Sequence, residues 1–469
     1  MVLIQFDEYC EIPTLCRALL RSCYGLFSEG PGGVVVIPIL SGIPYVNIRG
    51  NLLKVSRKTT PVFISLAGMQ ETEVLQNSVY NEFNTQTHVK SLDRIMATFG
   101  GFPRLYTWLL DKIEDEKLAN FGEVGSETAK KLYDGVKNRY SEIYPIQVWI
   151  NAFAQKTELR EDERISDKTI GRAREHLKRI HTIAVSGISV SQHSRIDRFI
   201  DPGMTYQELS AVGLCTLKQD PVHPSIAVIN IPLILLDAYC DLTGICAPNT
   251  LSPFAYSWES MEYVAMWTLR SRWNSFYYTY KNEISVEQLR PGALHNSRPW
   301  LQKLDKLKVD KELPPVVSLA SEFTGDLTTS FDTEGDARGP KFSVSDRTVF
   351  TLAPNEAGND GAALLLPLAI LNQTKSLALT TVKPNGKIAQ GMVAQLVLKQ
   401  RSAGAKFDFG IPQEHIINDL FTNRFAGPRL DASQLPDNKF LCTADNFATV
   451  VGPVFKDTLM LFKSTNYEI

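Results

Sequence analysis

The chain predicts an α/β fold built in several units, and three observations carry that reading. Apolar runs of strand length alternate with helical stretches over residues 1–115, a strongly charged helical stretch follows, and a long aromatic-rich helix then introduces a series of short strands. At 469 residues there is room for two or three hydrophobic cores.

In order along the chain, Val2-Leu3-Ile4-Gln5-Phe6 reads as a strand and Pro13 to Leu26 as a helical stretch. Val34 to Leu40 and Pro61 to Leu66 are two further strands, and Gly100-Gly101-Phe102-Pro103-Arg104 opens a helix through Leu110 with apolar positions at helical spacing. That alternation is the pattern of a parallel sheet covered by helices. Residues 116–236 read as mainly helical, with the charge run between Glu158 and His181 forming a solvated helix face. Thr205 to Leu209, Gly213-Leu214 and the apolar stretch Ile226 to Leu236 describe a helix leading into a small β-wing. A winged-helix module fits this segment, and it either touches DNA or packs against a neighbouring domain. Residues 237–469 form the last unit. Ser257 to Tyr280 is its long helix, and Ser321 to Lys341 reads as an exposed loop. Short strands and helices are expected at Thr348–Leu352, Ala362–Leu371, Val393–Gln400, His415–Phe421, Phe447–Val450 and Thr458–Lys463.

Composition narrows the classes. With 44% hydrophobic and 21% charged residues the chain is an ordinary globular one, and its net charge of -2 gives no whole-chain attraction to nucleic acid. Contact with DNA must come from a local basic surface. No apolar run is long enough to span a bilayer, so no membrane partner is expected. The N-terminus lacks a basic segment followed by a cleavable apolar stretch, so secretion by the usual signal is not expected; the expected location is intracellular, or the host cell's interior if a leader precedes a truncated start. The seven cysteines are odd in number with no C-x-x-C pair, so they read as buried thiols. His176 and His181 lie five apart, a poor ligand spacing, and the histidines read as structural or surface residues.

Two constellations carry chemistry. The first strand ends in Asp7-Glu8, which suits a magnesium-water ligand followed by the base that activates an attacking water. Any buried strand can end that way. Ser41, after the second apolar strand, is either a polar sensor of a terminal phosphate or an ordinary turn residue. Gly100 to Arg104 resembles the G-x-P segment of signal-transduction ATPases, in which Pro103 would lie against adenine and Arg104 would belong to the nucleotide-sensing turn. No G-x-x-x-x-G-K-[ST] segment precedes Asp7 or occurs later, so the phosphate cradle is missing. The expectation is a chain that opens inside a nucleotide-binding domain. Losing three charge-assisted hydrogen bonds of ~1.5–3 kcal/mol each removes ~4–9 kcal/mol, so ATP is expected only if a phosphate loop is supplied from elsewhere.

The second constellation is Asp360, an apolar segment of hairpin length, and Gln373-Thr374-Lys375. Asp360 would bind a hard cation such as Mg2+ through oxygen, and Gln373 would add a neutral oxygen ligand. Residues i and i+2 of a strand share a face, so Lys375 would sit beside Gln373, orienting or deprotonating water and neutralising a developing phosphorane. Glu259 at the start of the long helix would complete the metal set, with Glu262, three residues on, as the alternative. From Thr381 to Leu430, seven basic residues (Lys383, Lys387, Lys399, Arg401, Lys406, Arg424 and Arg429) face three acidic ones, a bias suited to a phosphate backbone. A mildly basic surface is the plainer reading of the same residues.

An aspartate, a hairpin-length segment and (E/Q)-x-K resemble the core of restriction-endonuclease-like nucleases. Taken with Asp7-Glu8, the Gly-Gly-Phe-Pro-Arg turn and the winged-helix-like segment, the linear order resembles the Crinkler and retrotransposon-hot-spot class of ATPase–nuclease effectors. The resemblance implies three parts. Residues 1–115 would be the C-terminal half of a P-loop ATPase domain, 116–236 a helical and winged-helix-like segment, and 237–469 a PD-(D/E)xK restriction-endonuclease-like domain. It implies catalytic residues Glu259, Asp360, Gln373 and Lys375, a Mg2+ ion held by Asp360, Gln373 and Glu259, DNA as substrate, and in many members a nuclear location. The competing reading is a non-catalytic remnant whose surfaces bind DNA or another protein.

Overall fold

The structure is a computed structural model. It describes residues 2–6, 36–40, 72–82, 89–116, 118, 124–143, 146–156, 166–196, 198–199, 204–211, 215–220, 222–223, 225–245, 252–253, 258–279, 282–296, 306–318, 329–330, 341–343, 346–351, 361–375, 387–388, 407–408, 410–422, 425–426, 433, 435, 439–443 and 445–455. Mixed helices and sheets, with parallel strand pairs among them, bear out the α/β expectation in its coarse form.

The first two expected strands are present as β1 (Val2–Phe6) and β2 (Val36–Leu40), paired in parallel with Val2 opposite Val36. The helical stretch 13–26 and the strand 61–66 lie outside the described residues. Helices α1 (Thr72–Glu82), α2 (Lys90–Ala97) and α3 (Pro103–Asp115) follow. Gly100 and Gly101 both hold positive φ, at 58° and 77°, which reverses the chain between α2 and α3. Pro103 then takes the first turn of α3, where its missing N–H costs nothing.

Helices α4 (Ser126–Ile143), α5 (Ile146–Lys156) and α6 (Asp167–Ser186) make up the middle of the chain. Ser166 caps α6 by accepting from the Thr169 N–H, and Gly187 ends it in the left-handed conformation. A side chain at Gly187 would stand 2.7 Å from Pro453 Cδ, so glycine also permits the close approach of the C-terminal segment. The charged helix is less solvated than its sequence predicts. One flank carries Glu175 with Lys178 and Arg179, while His176, Leu177, Ile180, His181 and Ala184 are buried. Beyond α6, β3 (Ser189–Ser191), α7 (Tyr206–Ala211), β4 (Thr216–Gln219) and β5 (Ile226–Asn230) form a three-stranded antiparallel sheet with its helix. Helices α8 (Leu233–Ala238) and α9 (Cys240–Thr243) return the chain to the core.

The expected long helix is α10 (Trp258–Tyr278). From Val264 to Phe276 every residue is buried, because α6 lies on one side of it and the main sheet on the other. Several of its polar side chains bond internally, whereas Trp267 Nε1 and Ser271 Oγ are buried with no hydrogen-bond partner among the described residues. Asn274 exchanges hydrogen bonds with the Leu313 backbone in both directions, and Arg272 donates to the carbonyls of Ser186, Leu289 and Thr449. Helix α11 (Val286–Leu289) carries a capping box between Ser285 and Gln288.

The main sheet has seven strands: β6 (Leu294–His295), β7 (Val317–Ser318), β8 (Thr348–Thr351), β9 (Gly361–Leu365), β10 (Leu368–Lys375), β11 (Ile416–Thr422) and β12 (Lys439–Cys442). Their order is β6-β12-β11-β10-β9-β8-β7. Strands β8, β9 and β10 are an antiparallel meander, whereas β10, β11 and β12 run parallel. Helix α12 (Phe447–Val451) closes the C-terminal side. The stretch 321–341, expected as a loop, includes a short strand at Thr329–Ser330 paired with Lys341–Ser343; most of it lies outside the described residues.

One contiguous core runs from Val79 to Phe455 and joins the helical middle to the sheet. The expected boundary between 236 and 237 falls inside α8, whose buried Leu235, Leu236 and Asp237 belong to that core region. α3 ends at Asp115, where the first boundary is expected.

Candidate functional site

The β9–β10 hairpin organises the candidate site. Gly361 pairs with Asn372, so the residue after Asp360 stands beside the residue before Gln373. Gln373 and Lys375 end β10 in register with Leu420 and Thr422 of β11. The carboxyl ends of three parallel strands therefore share one edge of the sheet, which is where open α/β sheets take ligands. Gly361 is needed here for packing. A Cβ would come within 2.8 Å of the Phe350 carbonyl and 3.0 Å of Met266 Cγ on α10. Asp360 itself, and the side chains of Gln373, Lys375 and Glu259, lie outside the described residues, and Glu262 is half-buried one turn into α10.

The sheet has two unlike faces. Ala363, Leu365, Leu368, Ile370 and Ile417 pack into the main core with α10. Ala362, Leu364, Ala369, Leu371 and Ile416 form a separate small cluster on the other side, with Phe350. By the two-residue period of a strand, positions 372 and 374 continue the Ile370 set and positions 373 and 375 the Leu371 set. Helix α10 packs on the Ile370 face.

On the α10 face, sequence reasoning missed a buried polar cluster. Asp419, at 1% exposure, accepts from Arg290 Nε at 2.6 Å, and Arg290 is 2% exposed. Arg290 Nη1 and Nη2 are buried with no hydrogen-bond partner among the described residues, and so are both amide atoms of Asn372, which is in register with Asp419. The Phe421 ring lies 5.3 Å from the Arg290 guanidinium carbon. Burial, and then the neighbouring charge of Arg290, push Arg272 down to about 9. Burial pushes the Cys442 thiol up, which keeps it neutral in this setting. The sequence signal was an Asn-Asp pair, 418–419, in the middle of an otherwise apolar strand.

The nucleotide-related residues are not brought together by anything described. Asp7, Glu8 and Ser41 lie outside the described residues. Pro103 and Arg104 are exposed at the start of α3, and Gly100 lies 3.5 Å, as a Cβ would measure it, from Pro232. The Gly-Gly-Phe-Pro turn thus has a sufficient structural role as a helix–turn–helix corner. In the middle unit, Asp220 accepts from the N–H groups of Val222 and His223, forming the turn of the β4–β5 hairpin, whose Val222 is 75% exposed. The side chains of the seven basic residues between 381 and 430 lie outside the described residues.

Among the described residues no group of three or more His, Cys, Asp or Glu side chains could hold a metal ion. No helix of the described residues is long and apolar enough to cross a membrane. Cys215, Cys240 and Cys442 are buried free thiols. The chain matches no protein-family model, no curated protein and no solved structure.

Proposed function

We propose that the C-terminal unit is a metal-dependent phosphodiesterase acting on DNA, with Asp360, Gln373 and Lys375 as its catalytic residues. The observation that carries the reading is the β9–β10 register, Gly361 opposite Asn372, which supports Asp360 and Gln373 as neighbours at the edge where three parallel strands end. Mg2+ held by Asp360 and Gln373 would supply charge for the developing phosphorane. Lys375 would orient the attacking water and donate to the phosphate oxygen that gains charge. Glu259 is the member that the sheet supports least, since α10 lies against the Ile370 face. The resemblance to Crinkler and retrotransposon-hot-spot effectors, an intracellular and nuclear location, and the loss of independent ATP binding belong to the same proposal.

Purified protein incubated with supercoiled plasmid and Mg2+, beside Asp360→Ala, tests it. The expected outcome is nicking by the parent chain and a loss of roughly 10²–10⁴-fold in the variant. Glu259→Gln assayed alongside shows whether α10 contributes a ligand. Equal products from parent and Asp360→Ala, or none from either, would end the nuclease reading.

A second reading, a non-catalytic DNA- or protein-binding unit, is favoured by one observation. Helix α10, which carries Glu259 and Glu262, packs against the Ile370 face of the sheet, whereas Leu371 belongs to the cluster on the other face. Plasmid retarded in a gel by a chain that never cuts it is the result this reading expects.

A further inference from the structure

The polar groups left over on the α10 face of the sheet call for a ligand of their own. Arg290 spends only Nε on Asp419, and its two terminal nitrogens, each carrying two N–H bonds, are buried without a partner among the described residues. Asn372 stands in register with Asp419, belongs to the same face, and is 0% exposed with neither amide atom satisfied. Arg272 approaches from α10, and each of its three nitrogens already donates to a carbonyl, of Ser186, Leu289 and Thr449. Among the described residues the cluster therefore holds two guanidiniums and one carboxylate, with Cys442 kept as a neutral thiol by burial. Buried polar groups in native proteins are nearly always paired, so several orphans in one place ask for an explanation. Water would satisfy the neutral amide but would leave the surplus positive charge uncompensated. An anion does both. The fork of Nη1 and Nη2 matches two oxygens of a tetrahedral oxyanion, and the Asn372 amide supplies a further donor. The Phe421 ring lies beneath the guanidinium carbon, its centroid 5.3 Å away, and favours the positive charge there.

We propose that Arg290 and Asn372 form an oxyanion site for a phosphate group, with Arg272 reinforcing the positive charge and Asp419 orienting Arg290. The site occupies the face of the sheet opposite to that of positions 373 and 375, so it does not depend on the phosphodiesterase reading. The phosphate could arrive free or as the terminal group of a nucleic acid, and the same chemistry recognises both.

The test uses the full chain in chloride buffer and follows its thermal midpoint and heat of binding as potassium phosphate is added at constant ionic strength. Phosphate is expected to raise the midpoint in a saturable way, where potassium acetate does not. Asn372→Leu, close to isosteric, is expected to fold normally and to bind phosphate about tenfold more weakly or not at all. Arg290→Lys keeps a charge for Asp419 but loses the fork, and the same weakening is expected. A 5′-phosphorylated oligonucleotide is then compared with its 5′-hydroxyl form. Competition by the phosphorylated form alone assigns the site to a nucleic-acid end, and no competition by either assigns it to free phosphate. No saturable response to phosphate in the parent chain, or an equal response in Asn372→Leu, overturns the proposal. Plasmid cleavage is read in a separate assay, so failure of one proposal leaves the other standing.

Discussion

Asp237 and Asp419 are both buried carboxylates that meet a cation, yet what surrounds the cation differs. In the helical region Asp237 accepts from the Tyr133 hydroxyl at 2.9 Å and from Lys137 Nζ at 2.7 Å. The Lys137 side chain is 30% exposed, so its remaining donors reach solvent. In the sheet Asp419 meets Arg290 at 2.6 Å, and there the cation is as buried as the acid. Two guanidinium nitrogens are left without partners. The contrast teaches how to sort buried charge. A network that closes on itself or opens to water explains itself as structure, and one that does neither points to a missing component.

The largest test of that contrast is Arg290→Leu. It removes the buried cation that faces the Asp419 carboxylate, and a loss of ~3–5 kcal/mol is expected from denaturant unfolding. A loss near zero would mean that Asp419 is held well enough without Arg290, and the two regions would then be alike.

Acid comes next, and it acts on the helical region. Burial pushes His181 down to about 3, and its ring stacks on Tyr239. The unfolded chain takes up a proton near pH 6.5 and the folded chain only near 3, so the unfolded state binds more protons in between. Stability is full above 6.5 and is expected to fall by ~1.4 kcal/mol per pH unit below it, reaching ~3 kcal/mol two units down. His181→Phe should flatten that slope in unfolding curves taken across the range; an unchanged slope would assign acid sensitivity elsewhere.

Asp237→Asn should cost only ~1–2 kcal/mol, because Tyr133 keeps an acceptor and Lys137 turns to solvent. A cost as large as that of Arg290→Leu would erase the distinction between the two acids. The smallest effect is expected from Asn372→Leu. Replacing an unsatisfied buried amide by an apolar group of similar shape should leave stability unchanged or raise it by up to ~1 kcal/mol in phosphate-free buffer. A clear loss would show that the amide already has a partner.

Much of the sheet was legible because strands that are buried on both faces write themselves as apolar runs. Ala362 to Leu371 stood out in this way, although as one segment, and Leu366-Pro367 splits it into β9 and β10. The long helix was legible from its aromatic content, and Ser257–Tyr280 became Trp258–Tyr278. The boundary at 236 was read from the end of the winged-helix-like segment, and α8, which spans it, packs on both α4 and α9. The Arg290–Asp419 pair was invisible for a different reason. Its members are 129 residues apart, and the strand order β6-β12-β11 brings the segment that carries Arg290 near Asp419. The local hint was the Asn418-Asp419 pair inside an otherwise apolar strand, and it does not say which distant residue the acid meets.

Arg272 has a consequence for how this chain is made. Its three acceptors lie 86 residues before it and 17 and 177 residues after it. During synthesis the first two can be present long before Thr449 has left the ribosome, and until then one arm of a guanidinium destined for the interior has only water to bind. Contacts of such separation form late and slow the search for the native state. The helical middle is therefore expected to remain loosely held in the nascent chain, settling only when the last strands arrive, and during that interval its apolar surface is open to chaperones.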